Sequence, residues 1–196
     1  MTSADLAREM ATARRCLSGA DREALIAAGI SAPVIAAGLI GAALVRLAGD
    51  LFEPDPDGRF AFLTPVRVYD AITPESPHPI VTVRAGALID ILAWHPKHPQ
   101  RWALRRGLAT WAGACWPQYL DPPPVRVWRS PANWLRSGCR GLCLVSRVAA
   151  DAYRVLSLLK GNVAEDRAHR AELQAILASP WPAPPVLLPQ GARHAA

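Results

Sequence analysis

Lysine is nearly missing from this sequence. Lys97 and Lys160 stand against 20 arginines, so the net charge of +6 is carried by guanidinium groups. Cysteine is scarce too: Cys16, Cys115, Cys139 and Cys143. A chain of 196 residues stabilises itself without disulfides, and the opening MTSADLAREMATARR lacks the pattern of a secretory signal. Reduced cysteines and a cytoplasmic protein are therefore expected. Cys139 and Cys143 form C-x₃-C, which is not the C-x-x-C of redox or zinc motifs.

Motifs of catalysis are absent as well. The chain has no Ser-His-Asp order, no nucleophile elbow and no glycine loop for phosphates, so no catalytic residue and no cofactor is assigned. His95 and His98 form an H-x-x-H below Asp90. Pro96 and Pro99 forbid the helix that would aim both imidazoles at one metal. Magnesium chemistry needs converging carboxylates. Arg129 stands where the first would be needed, and Glu165-Asp166 fall at a helix start, where acids are ordinary dipole chemistry. No metal site is expected.

Charge-free stretches are also few. The longest of them runs from Ala24 to Val45, long enough to span a bilayer. Only nine of its 22 residues are Leu, Ile or Val, while eight are Ala and three Gly. The gross gain on insertion is about 3–5 kcal/mol, before Pro33, Ser31 and the glycines subtract from it. Ser18 or Asp21 caps one helix that stops at Gly29, and Ser31 with Pro33 starts another. Two short helices are expected, and no membrane span.

Half of the chain is apolar, which suffices for a packed core. Helices are expected over 4–17, 20–28 and 32–38. RFAFL and VRVYD read as short strands parted by Thr64-Pro65, and IVTVRAGALIDILAWHP as two strands with Asp90 inside the second. Residues 101–116 read as the clearest helix, because Leu104, Leu108, Trp111 and Cys115 fall on one stripe. Beyond Pro122–Pro124, VRVW, SPANWLRSG, GLCLVS, RVAADAYRVLSLL, NVA and EDRAHRAELQAIL alternate strand and helix. That order points to a small parallel α/β unit.

The fold class is thus mixed α+β and α/β. The expected division is a helical segment over 1–48, a β-rich segment with the Trp/Arg helix over 49–120, a small βαβα-type unit over 121–178, and a Pro-rich tail over 179–196. One compact body is expected over 1–178.

Charge divides unevenly. Residues 1–95 sum to −3 and residues 96–196 to +9. Abundant Ala, Arg, Pro and Gly together reflect a GC-rich coding sequence, yet the asymmetry also fits a polyanion partner. Parallel sheets hold ligands beyond the carboxyl ends of their strands. Arg129, Ser130 and Arg147 lie at such ends, and Arg101, Arg105 and Arg106 lie among tryptophans, so these six are the candidate anion or nucleic-acid contacts. Three functions follow. The first is a bacterial or phage-like accessory protein whose basic half meets DNA or RNA. The second is a protein-interaction or self-associating module that uses helices 24–45 and the tail. The third is an enzyme acting on a phosphorylated small molecule.

Overall fold

Polar caps and glycines cut the apolar start of the chain into short helices. A computed structural model describes residues 1–68, 87–113, 124–159 and 161–179. Helix α1 (Ser3–Arg15) opens on a capping box between Thr2 and Asp5, and α2 (Gly19–Ala27) on another between Ser18 and Asp21. Each box satisfies backbone N–H groups that the first turn leaves free, worth about 1 kcal/mol apiece. Helix α3 (Ala32–Ala36) carries Pro33 in its first turn. The end of the charge-free run then becomes a strand. Among the described residues, no helix is long and apolar enough to cross a membrane.

Five strands form a closed barrel: β1 (Gly41–Ala48), β2 (Leu51–Pro54), β3 (Arg59–Val68), β4 (Ala87–Trp94) and β5 (Trp102–Leu104). Their order is β1-β2-β5-β4-β3, and β3 pairs back onto β1. Only the β2–β5 contact is parallel. One alternating set of side chains, including Val45, Phe52, Leu63 and Ile91, forms a single cluster with Leu6, Met10 and Ala13 of α1. The fit is tight: a Cβ on Gly41 would lie 2.7 Å from that of Ala13.

The opposite set, including Ala42, Phe62, Val66, Leu92 and Trp94, faces a second cluster. There Leu25, Ile30, Val34 and Ile35 meet Trp134 and Leu135. Most apolar side chains of the charge-free run are therefore covered by their own chain, while Ile26 and Leu44 stay exposed.

The last layer is a four-stranded sheet of β6 (Trp111–Gly113), β7 (Val125–Trp128), β8 (Leu142–Leu144) and β9 (Asn162–Val163), in the order β6-β8-β7-β9. Strand β7 is parallel to both β8 and β9, and β6 is antiparallel to β8. Helices α4 (Pro131–Arg136), α5 (Ala149–Leu158) and α6 (Arg167–Ala178) follow β7, β8 and β9. Val155 and Leu156 of α5 and Leu173 of α6 pack with Val125, Val127 and Leu142 of the sheet. The mixed class with N-terminal helices, central strands and a C-terminal parallel unit is what the chain adopts.

Two local expectations are corrected. Residues 59–68 form one strand running through Pro65, with an irregularity between Val66 and Arg67. The expected helix over 101–116 is absent from its described part, which holds β5, a loop and β6. The reason is Asp90, fully buried on β4. Its Oδ1 accepts the N–H groups of Ile91 and Arg106 at 2.9 and 2.8 Å; its Oδ2 accepts those of Leu108 and Ala109 at 2.8 and 3.3 Å. A long-range carboxylate thus supplies the acceptors that a helix would have supplied locally. Gly107 takes φ +70° in that loop, which no helix permits. Leu108, from the predicted stripe, is 56% exposed. The strand expected before β4, the Pro-rich loop, Cys115, Trp116 and the tail lie outside the described residues.

Candidate ligand cleft at the strand ends

In the order β8-β7-β9 the chain leaves β7 for one side and then crosses to the other, so the switch of direction falls between β7 and β9. A cleft of about 620 Å³ opens at the carboxyl ends of β7 and β8, between α5 and α6. Arg129 and Arg147 both line it, so two of the six candidate residues come together there. Ser130 is buried beside them and caps α4 by accepting the N–H of Asn133.

At the end of the cleft around Arg129 the cation is engaged by the chain's own carboxylates. One oxygen of Glu165 accepts the backbone N–H of Arg129, and the other accepts the side-chain amide of Asn133 at 2.8 Å. The anion at the start of α4 is thus Glu165 itself. The Arg129 guanidinium donates to Asp166 at 2.9 Å and to Glu172 at 3.2 Å. The N–H of His169, at the start of α6, and the Arg129 guanidinium hold the Asp166 carboxyl below its usual range.

The half around Arg147 is different. Its guanidinium lies 3.8 Å from the centroid of Trp102, and one N–H donates to the carbonyl of Gln100 at 3.1 Å. Among the described residues it makes no ion pair with a carboxylate. Trp102 is held in turn by its indole N–H on the Val145 carbonyl at 3.0 Å. Helix α5 begins at Val148 without a side-chain cap. The Ser146 hydroxyl accepts the Val148 N–H and donates to Asp151.

His169 forms part of the wall and is 4% exposed. Its Nδ1 accepts the Glu165 N–H at 3.2 Å, which assigns the ring hydrogen of the neutral form to Nε2. Burial, and then Arg129, lower its pKa from the ordinary value.

The other three candidates lie apart from the cleft lining. Arg105 is tied to Glu9 of α1 at 3.1 Å and lies over Phe52. Arg106 gives its backbone N–H to Asp90, and Arg101 is exposed. His95 and His98 sit with ring centroids 5.9 Å apart, and His95 Nδ1 accepts the Lys97 N–H. Among the described residues no group of three His, Cys, Asp or Glu is placed to hold a metal. Burial pushes the Cys139 thiol up to about 12 and that of Cys143 higher still, which makes both poor nucleophiles.

Sequence reasoning missed His169, Glu172 and Trp102. The first two carried a signal: they sit three and six residues after the N-cap Asp166, on the turns of α6 nearest the strand ends. Trp102 was hidden by its assignment to a helix. Neither family models, nor curated proteins, nor solved structures include a match to this chain.

Proposed function

We propose that this protein binds a small anionic molecule in the cleft at the carboxyl ends of β7 and β8. The observation that carries the reading is the cleft itself. It lies where parallel sheets hold ligands, its volume suits a small molecule, and Arg147 lines it without a carboxylate partner among the described residues. Binding is proposed and no reaction is assigned.

The nucleic-acid reading draws less support from the same residues. It needs a free basic face, whereas Arg105 and Arg129 are engaged by Glu9, Asp166 and Glu172. The interaction-module reading draws less as well, because Leu25, Ile30, Val34 and Ile35 are buried within the chain.

The test is thermal denaturation against a broad panel of metabolite anions, using wild type and Ala168→Trp. Ala168 is exposed at the cleft wall, so the indole plugs the cleft without entering the core. A ligand at one hundred times its Kd stabilises by about 2.7 kcal/mol, a readable rise in Tm. At least one anion raises Tm in wild type and not in Ala168→Trp. No rise with any compound, or equal rises in both proteins, would overturn the reading.

A further inference from the structure

The two ends of the cleft differ in how their charges are engaged: Arg129 and Glu172 pair with each other at one, and Arg147 stands without a carboxylate among the described residues at the other. At the β8 end stand Arg147 and the start of α5, whose first turn also carries Asp151, held by Ser146 and, at 3.8 Å, by Arg154. At the β9 end Arg129 pairs with Glu172 in the lining and with Asp166 outside it, while Glu165 holds the backbone N–H of Arg129. Between the ends the wall is apolar and aromatic: Trp128, Leu144, Ala152, Leu173 and Ile176. In that wall sits His169, more than nine-tenths buried, whose Nε2–H has no partner among the described residues.

We infer that the ligand is a nucleoside monophosphate, an assignment that rests on the cleft reading above. The phosphate pairs with Arg147 and takes the N–H groups of Ala149 and Ala150 at the start of α5, the Asp151 N–H being engaged by the Val148 carbonyl. The flat base lies against the apolar wall. Ribose hydroxyls or a ring amino group donate to Glu172, whose oxygens keep lone pairs beyond those used by Arg129. His169 Nε2–H donates to the ligand from the wall. Inorganic phosphate alone would leave the apolar wall unfilled. A ligand without an anionic group would leave Arg147 without a charge partner.

Isothermal titration calorimetry tests this with the four common ribonucleoside monophosphates, their nucleosides, inorganic phosphate and a set of aromatic carboxylates. At least one monophosphate binds tenfold or more tightly than its own nucleoside and than phosphate. Arg147→Glu and the milder Arg147→Gln weaken it by tenfold or more, and His169→Phe weakens it several-fold. Arg46→Gln, on the barrel, leaves it unchanged. If aromatic carboxylates bind in wild type but not in Ala168→Trp while no monophosphate binds, the nucleotide assignment falls and the cleft reading stands. Monophosphate binding that survives both Arg147→Glu and Ala168→Trp overturns the assignment by placing the site elsewhere. If nothing in this set binds, the nucleotide assignment falls, and the wider anion panel above decides the cleft reading.

Discussion

Asp90 in the barrel and Glu165 at the edge of the parallel sheet do similar local work. Each is a carboxylate that gathers N–H groups from a segment distant in sequence. They differ in what surrounds them. Asp90 is fully buried and all four of its bonds go to backbone, so it defines one loop and leaves nothing over. Glu165 is half-buried in a group of charges that does not close: Arg129 is shared by two other carboxylates, and His169 and Arg147 stand nearby with donors to spare. Where polar groups are saturated the protein builds structure; where they are left over beside a cavity it can bind.

The sharpest way to break this contrast is Asp90→Ala. It strands four backbone donors, at about 1–3 kcal/mol for each one left buried and unpaired. Allowing for relaxation, a loss of about 3–6 kcal/mol is expected, a large part of the total stability of an ordinary domain. Urea denaturation reads it directly. Asp90→Asn keeps one oxygen as an acceptor and falls between the two. A shift in midpoint for Asp90→Ala no larger than that of a surface substitution would show that the loop holds without it.

Glu165→Ala is the matching change in the other half. Two donors lose their acceptor, one of them a side chain that can turn to water, so a loss of about 1–3 kcal/mol is expected. The same urea series ranks the two variants, and a larger loss for Glu165→Ala would reverse the comparison. Smaller again is Arg105→Met, which removes the ion pair joining α1 to the barrel. The side chains of Arg105 and Glu9 are 22% and 18% exposed, and a loss of about 1 kcal/mol is expected, measured against Glu9→Gln and the double variant.

The two halves also differed in how far the sequence disclosed them. The parallel unit was legible because each apolar segment is short and two of its three helices announce themselves with a local cap, Ser130 and Asp166. Helix α1 was legible from its apolar period, α2 from the cap at Ser18, and α3 from Ser31 with Pro33. The barrel was not. Leu104, Leu108 and Trp111 have helical spacing, yet Leu104 packs with the barrel, Trp111 packs in the sheet and Leu108 faces solvent. The decision between helix and loop is made by Asp90, many residues away, and no local period records it. The candidate site was legible in position but not in charge state. Strand ends pointed to Arg129 and Arg147 alike. Which of them is engaged depends on how Glu165, Asp166 and Glu172 converge in space.

The smallest effect expected is a pH dependence, and it separates the halves again. His169 is held neutral in the folded protein by burial and by Arg129, against the pull of Glu165, Glu172 and Asp166. Its folded pKa therefore lies below the ordinary 6.5, near which the unfolded chain takes up its proton. Between the two values the unfolded state binds more protons, so stability falls as pH falls. The contribution is complete above about 6.5 and is lost as pH drops through the folded value. Burial, and then His98 and Lys97, lower His95 in the same direction, so wild type combines both slopes. His169→Gln removes one of them and His95→Gln the other. Chemical denaturation from pH 7 to pH 5 should give a flatter curve for each single variant and the flattest for the pair. A His169→Gln curve parallel to wild type would mean that the imidazole is not held neutral in the folded state. The wall of the cleft would then present a cation instead of a neutral N–H donor.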